Sequence, residues 1–353
     1  RVEGLGLDAT LTDHAAILAR AVEVNAGIWA RHLTVATGAN LTNADPGNVS
    51  TAPSVPQGAT PSYALDVAHI GGMYAGHIYL VGTEAGLGAR NAGVVSSTGQ
   101  LVLDHSGWLS NRGTLQAAQG LTVAATSLDN AAGAVVSAGT TTVQLSQALT
   151  NRGLIDGQTT QLQAQTLSNL GTGRLYGNVL AIEAQDLLND TETVGGVRSD
   201  AVIAARERLD IGAQNLVNRE GALVFSAGDM AIGGSLDAAH RAAGMAQLVE
   251  NRSATIEALG SLAMATRVLE NANDHFTYTV VSDGTTARTD YYTAGGYVGS
   301  EQVAWSVVER GDASAYTLDP TTSGNRFSTG GTLTTSDMEN TAEYTAKSAS
   351  VSV

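Results

Sequence analysis

The chain has 353 residues, and its 33 acidic against 18 basic side chains give a formal net charge of −15. That balance argues against nucleic acid as a partner, because phosphate binding needs a basic stripe. With charged residues at 14 %, aromatics at 5 % and no cysteine, the core must come from Ala, Val, Leu and Ile without disulfides. No run approaches eighteen apolar residues, so no transmembrane helix is expected, and the start at Arg1 without a basic and apolar leader suggests a piece excised from a longer chain.

Residues 1–43 carry alternating segments around Ile17 and Leu33-Thr-Val-Ala36. Residues 44–62 hold Pro46, Pro53, Pro56 and Pro61, and proline cannot donate to a sheet ladder, so this stretch reads as an exposed excursion. Residues 63–271 resume the coils, and between 91 and 271 one phrase recurs: an aliphatic residue, a spacer, an Asn and usually a Gly soon after, as in Leu109-Ser-Asn111-Arg-Gly113 and Leu149-Thr-Asn151-Arg-Gly153. The repeated positions are Asn91, Asn111, Asn130, Asn151, Asn169, Asn189, Asn218, Asn251 and Asn271, at steps of 20, 19, 21, 18, 20, 29, 33 and 20 residues. Such a period marks an array in which each unit buries its apolar face on its neighbours. The two long steps place insertions near 190–200 and 234–247, the second expected to be a short helix capped by Ser235.

Between the Asn positions lie short alternating runs, Leu121-Thr-Val-Ala-Ala125 and Thr142-Val-Gln-Leu-Ser146 among them, which read as strands with one inward face. A coil of about twenty residues holds two or three such strands, and coils stack at roughly 4.8 Å per rung. The expected fold is therefore all-β, a right-handed parallel β-helix with extra-helical loops, of roughly seventeen coils and about 80 Å. The Asn at one place in every coil is expected to stack into a structural ladder, each amide bonding to the next.

After 271 the phrase disappears and aromatics concentrate. Residues 272–331 read as a Tyr-rich insertion or the start of another module, and 332–353 as a resumed coil ending the phrase at Asn340. Tyr278, Tyr291, Tyr292, Tyr297 and Trp305 are candidates for a binding surface, since aromatic side chains bring large area with little rotamer entropy. The other reading is that they pack the end of a rod that lacks large core residues.

Some β-helices act on polysaccharides through paired carboxylates in a groove. The densest group is Asp186, Asp190, Glu192, Asp200, Glu207 and Asp210, in which Asp190 and Asp210 stand one period apart and could stack, as could Glu250 and Glu270. Solvated exterior positions on neighbouring coils are the favoured reading. The histidines lack metal-ligand spacing, His69 and His77 reading as a surface pair, and Gly82–Gly88 reads as a tight corner. Arg112, Arg152, Arg219 and Arg252, each following a repeated Asn, read as exposed charges more readily than as a grip for an anionic glycan. No catalytic, metal or cofactor-binding residue is assigned.

The runs Ile17–Asn40 and Tyr63–Gly93 resemble the later part of the secretion domain of two-partner-secretion exoproteins. The coils that follow resemble filamentous-haemagglutinin repeats, and Asn271-Ala-Asn-Asp-His-Phe276 is similar to the point where contact-dependent growth-inhibition exoproteins of the CdiA type leave their first repeat block. The resemblance divides the chain into 1–93, part of the secretion domain, and 94–271, the haemagglutinin repeats. It implies a monomeric rod, secreted to the outer surface of a Gram-negative cell through an outer-membrane TpsB-type transporter. Such a rod would be a non-enzymatic shaft presenting a distal receptor-binding and toxin region to target cells. A filamentous-haemagglutinin-type adhesin for host cells or biofilm is the alternative, and a polysaccharide-active β-helix enzyme the outside one.

Overall fold

Alternation turns every second side chain inward, and a parallel neighbour one coil away places like residues over like. The computed structural model describes residues 1–43, 45, 47–281, 289–293, 302–307, 316–318 and 348–352. They fall into two units, Arg1–Asp274 and His275–Val353.

The first unit is a parallel β-solenoid of about 13 turns. Its regular coils are long strands that bend at corners: Val135–Asn151, Leu154–Leu170, Arg174–Asp190 and Val202–Arg219. Each pairs in parallel with the strand one turn away, and the ladders skip at the corners, as between Gln144 and Ala148. Pairing in this way builds columns of apolar side chains along the axis. One column runs Leu109, Leu128, Leu149, Leu167, Leu187, Leu216, Val249 and Leu269. A second runs Met73, Val95, Leu115, Val136, Ile155, Leu175, Ile203, Val224 and Ile256. Nearly all of these are buried, and each large aliphatic side chain contributes about 1.5–3 kcal/mol by leaving water. Leu262 and Leu269, on the last rung of this unit, are exposed.

Two core positions carry Thr141 and Thr160, in register with each other and fully buried. Their hydroxyls donate to the carbonyls of Asp156 and Tyr176 at 2.8 and 2.7 Å, which removes the cost of burying a polar group.

The all-β expectation holds. The turn count is lower than the seventeen expected, because the unit that holds the stack ends at Asp274 and hairpins spend residues outside it. Three excursions leave the rod. Asn40–Thr42 and Thr51–Pro53 form an antiparallel pair at the base of the proline-rich stretch, in which Ala44 and Pro46 lie outside the described residues. Arg20 ties this stretch back by donating to the carbonyls of Gln57 and Ala59. Glu192–Val194 and Val197–Ser199 form a hairpin turned by Gly195 and Gly196, both at positive φ (59° and 82°), the backbone of a two-residue turn. The third excursion corrects an expectation. Residues 235–245 form no helix; Ser235–Leu236 pairs antiparallel with Ala242–Ala243. The Asp237 carboxylate decides this by accepting from the amides of Ala239 and Arg241 at 2.8 and 2.9 Å, closing a turn where a helix would have continued.

In the second unit the described strands are antiparallel. Thr277–Val281 pairs with Ser348–Ser352, and Gln302–Val307 lies between Thr289–Thr293 and Tyr316–Leu318. Residues 332–347, most of the coil expected to resume there, lie outside the described residues.

Candidate functional site

The Asn positions come together in one file. From Asn91 to Asn271, each Nδ2 donates to the Oδ1 of the next repeated Asn at 2.8–2.9 Å, eight bonds without a gap. Most of these amides also donate to a carbonyl at the start of the strand one turn further on, such as Asn111 to Val135 at 3.1 Å and Asn169 to Val202 at 3.1 Å. Asn111, Asn130, Asn151, Asn169, Asn189 and Asn218 are fully buried, whereas Asn271 is exposed. An amide has two donors and one acceptor oxygen, so a file of them satisfies itself inside an apolar rod. The 29- and 33-residue steps leave the bond at 2.8 Å, since the extra chain is diverted into hairpins.

Beside the file lie the basic residues that follow it, and three of them, Arg152, Arg219 and Arg252, are ion-paired. Arg152 holds Glu192 through two bonds of 2.8 and 3.0 Å. Arg219 holds Asp190 at 2.8 Å. Arg252 sits among Glu250, Glu270 and Asp274. The hydrogen bond from Arg152 holds the Glu192 carboxyl below the ordinary carboxylate range, against burial, which pulls the other way. The Thr191 hydroxyl, then Arg198, hold Asp200 low in the same manner. A depressed carboxylate stabilises the fold above its unfolded value and loses that contribution as the pH falls through the folded one. Half-exposed pairs of this kind contribute little, so Glu192→Gln is expected to lower stability by no more than about 1 kcal/mol. A urea-midpoint shift several times larger would show that the pair anchors the hairpin.

The stacking considered for Asp190 and Asp210 does not occur. Asp190 stands opposite Leu170 beside the Asn file, and Asp210 stands between Ala181 and Ala231 on another face. The hairpin at 192–199 takes eight residues out of the twenty-residue interval, which defeats counting by period. Glu250 and Glu270 are in register and share Arg252. Asp210 is buried, and it accepts from Arg208 at 2.6 and 3.0 Å, from Arg241 at 3.3 Å and from the Ala242 amide at 3.0 Å. That carboxylate fastens the 235–243 hairpin to the side of the rod.

Histidine placement also differs from the sequence reading. His77 stacks on His32 and His32 on His14, with ring centroids 5.1 and 4.8 Å apart, while His69 lies near the Ala92 carbonyl. Trp29 stacks on Tyr74 one coil further on. The signal was present in two matching runs, Trp29-Ala-Arg-His32 and Tyr74-Ala-Gly-His77, but the proline-rich excursion separates them by 45 residues. Among the described residues, no group of three or more His, Asp or Glu side chains is placed to hold a metal ion. Tyr278, Tyr291, Tyr292 and Trp305 fall on the strands of the second unit, with side chains outside the description, and Tyr297 lies outside the described residues altogether.

No protein-family model matches the chain, and no solved structure matches it. Curated relatives do. A protein named Toxin CdiA from Yersinia pestis is 46 % identical over 124 residues, which are 35 % of this chain and 4 % of that protein. The 16S rRNA endonuclease CdiA of Enterobacter cloacae is 27 % identical over 279 residues, 75 % of this chain and 8 % of that protein. The tRNA nuclease CdiA of Escherichia coli strain NC101 is 42 % identical over 114 residues, 32 % of this chain and 3 % of that protein. The chain thus spans under a tenth of the length of these relatives, and it is homologous to a short part of CdiA proteins, as the resemblance implied. Their names overturn the expectation of a non-enzymatic protein, since relatives sharing this segment are named as nucleases.

Proposed function

We propose that this chain is a β-helical shaft segment of a large contact-dependent growth-inhibition exoprotein, a nuclease toxin as a whole. The observation that carries the reading is the unbroken Asn file through a parallel solenoid, in a chain whose relatives are CdiA proteins. About thirteen rungs at roughly 4.8 Å give a stiff spacer of about 60 Å. A rod whose polar interior is bonded end to end keeps whatever it carries at a fixed distance from its base. The partners are an outer-membrane TpsB-type transporter and a receptor on the target cell, and the place of work is the outer surface of a Gram-negative bacterium. The test removes residues 94–271 in frame from the full-length exoprotein in a producer strain. Surface protein should still be detected while inhibition of neighbouring cells in co-culture is mostly lost. Full inhibition by the shortened protein would overturn the shaft reading.

A further inference from the structure

His105 is a buried titratable group outside the Asn file. It closes the strand Gln100–His105 at a corner of the rod, opposite Gly82 of the preceding coil, and is 5 % exposed. Its ring fills the space a side chain on Gly82 would need, with Cδ2 and Nε2 2.1 and 2.3 Å from where a Cβ would stand. Nδ1 accepts the Gly107 amide proton at 2.9 Å, which fixes the neutral tautomer with hydrogen on Nε2. Nε2 has no hydrogen-bond partner, and the ring borders a cavity of about 10 Å³ whose other walls include Val35, Leu65, Leu80 and Leu103.

A second proton has nowhere to go in this arrangement. It must enter at Nδ1, where it would face the Gly107 N–H, so the bond holding the corner becomes a clash of two donors. The charge would also sit among aliphatic side chains with its other N–H unpaired. The surrounding elements offer little compensation. Thr37 and Gly82 come from the two preceding coils and Ala124 and Ala125 from the following one. Of the charges nearby, Asp104 is exposed, and Glu84 is tied to Arg20 by two bonds. Burial accordingly holds the His105 imidazole below its ordinary range, although Asp104 pulls it upward.

We propose that His105 is an acid-sensitive latch: the neutral ring closes the corner at residues 104–108, and protonation opens it. The sign follows from the depressed value. Stability from the latch is complete above the unfolded pKa of about 6.5 and is lost as the pH falls from there towards the folded value. Mildly acidic surroundings would loosen this part of the rod while coils without a buried histidine stay closed.

Hydrogen exchange on the whole chain at about pH 7.5 and about pH 5, corrected for intrinsic rates, tests the latch. Protection over 100–111 should fall on acidification, by about tenfold for each unit between the unfolded value of about 6.5 and the test pH, and so by up to about thirtyfold at pH 5. Protection over 154–190 in the same molecule should not fall. His105→Asn keeps an acceptor for the Gly107 amide and cannot be charged, so it should abolish the difference. An equal loss in the variant, or no selective loss in the parent, would overturn the proposal. Should the variant fail to fold, nitrogen-15 spectra of the parent histidines decide the matter. An Nε2–H tautomer titrating below the exposed histidines is expected for His105, and a midpoint at or above theirs would overturn the proposal.

Discussion

Replacing Asn169 by leucine is expected to cost the rod about 3–5 kcal/mol, although the side chains are similar in size and leucine is the commoner core residue. Asn169 accepts from Asn151 and donates to Asn189, both buried, and to the part-buried Val202 carbonyl. Leucine would strand the Asn189 oxygen and the Val202 carbonyl and weaken the bonding of Asn151, and each orphaned buried group costs about 1–3 kcal/mol. Long repeat arrays often unfold in more than one step. The readout is therefore both the denaturation midpoint and loss of exchange protection in the coils on either side. Asn271→Leu, at the exposed end of the file, is the matched comparison and should cost less than about 1 kcal/mol. Equal costs at the two positions would mean that the file adds nothing beyond the burial of its neighbours.

Removing the Asp210 carboxylate should have the next largest effect, by a different route. Asp210→Ala leaves Arg208 and Arg241 without their shared counter-charge and the Ala242 amide without an acceptor. Arg208 and Arg241 are themselves 31 % and 48 % exposed, so the cost comes from the orphaned Ala242 amide and the lost charge-assisted bonds, about 1–3 kcal/mol. Here part of the cost is relieved by release of the 235–243 hairpin. Arg241 should then become a rapid site of tryptic cleavage, while the strand Val202–Arg219 keeps its exchange protection. Asp190→Ala, whose partner Arg219 is about half exposed, should change stability by about 1 kcal/mol or less. Cleavage at Arg241 unchanged in Asp210→Ala would show that the hairpin is held by something else.

The parts of this architecture legible in the sequence are those set by strict local periodicity. Two inward residues on one strand are always two positions apart, so Leu109 with Asn111 and Leu167 with Asn169 announce themselves in every copy. Contacts between coils are harder to read, because their spacing depends on how much chain lies between. Asp190 and Asp210 show this: a hairpin inside the interval moves them to different faces. The stacked His14, His32 and His77 were hidden by the proline-rich excursion. The hairpin at 235–243 was misread because alanines between Asp237 and Ala243 suit a helix by propensity, and side-chain bonds from Asp237 and Asp210 outweigh that preference. His105 gave no sign at all, since a single histidine at a corner looks like any exposed one until the glycine opposite is seen.

The file of amides registers columns and is indifferent to the number of residues between them. Steps from 18 to 33 residues close with bonds of the same length. A lineage carrying such a rod is therefore free to gain or lose a decoration at any corner after the Asn without renegotiating its interior. The surface can diversify quickly while the spine stays as it was.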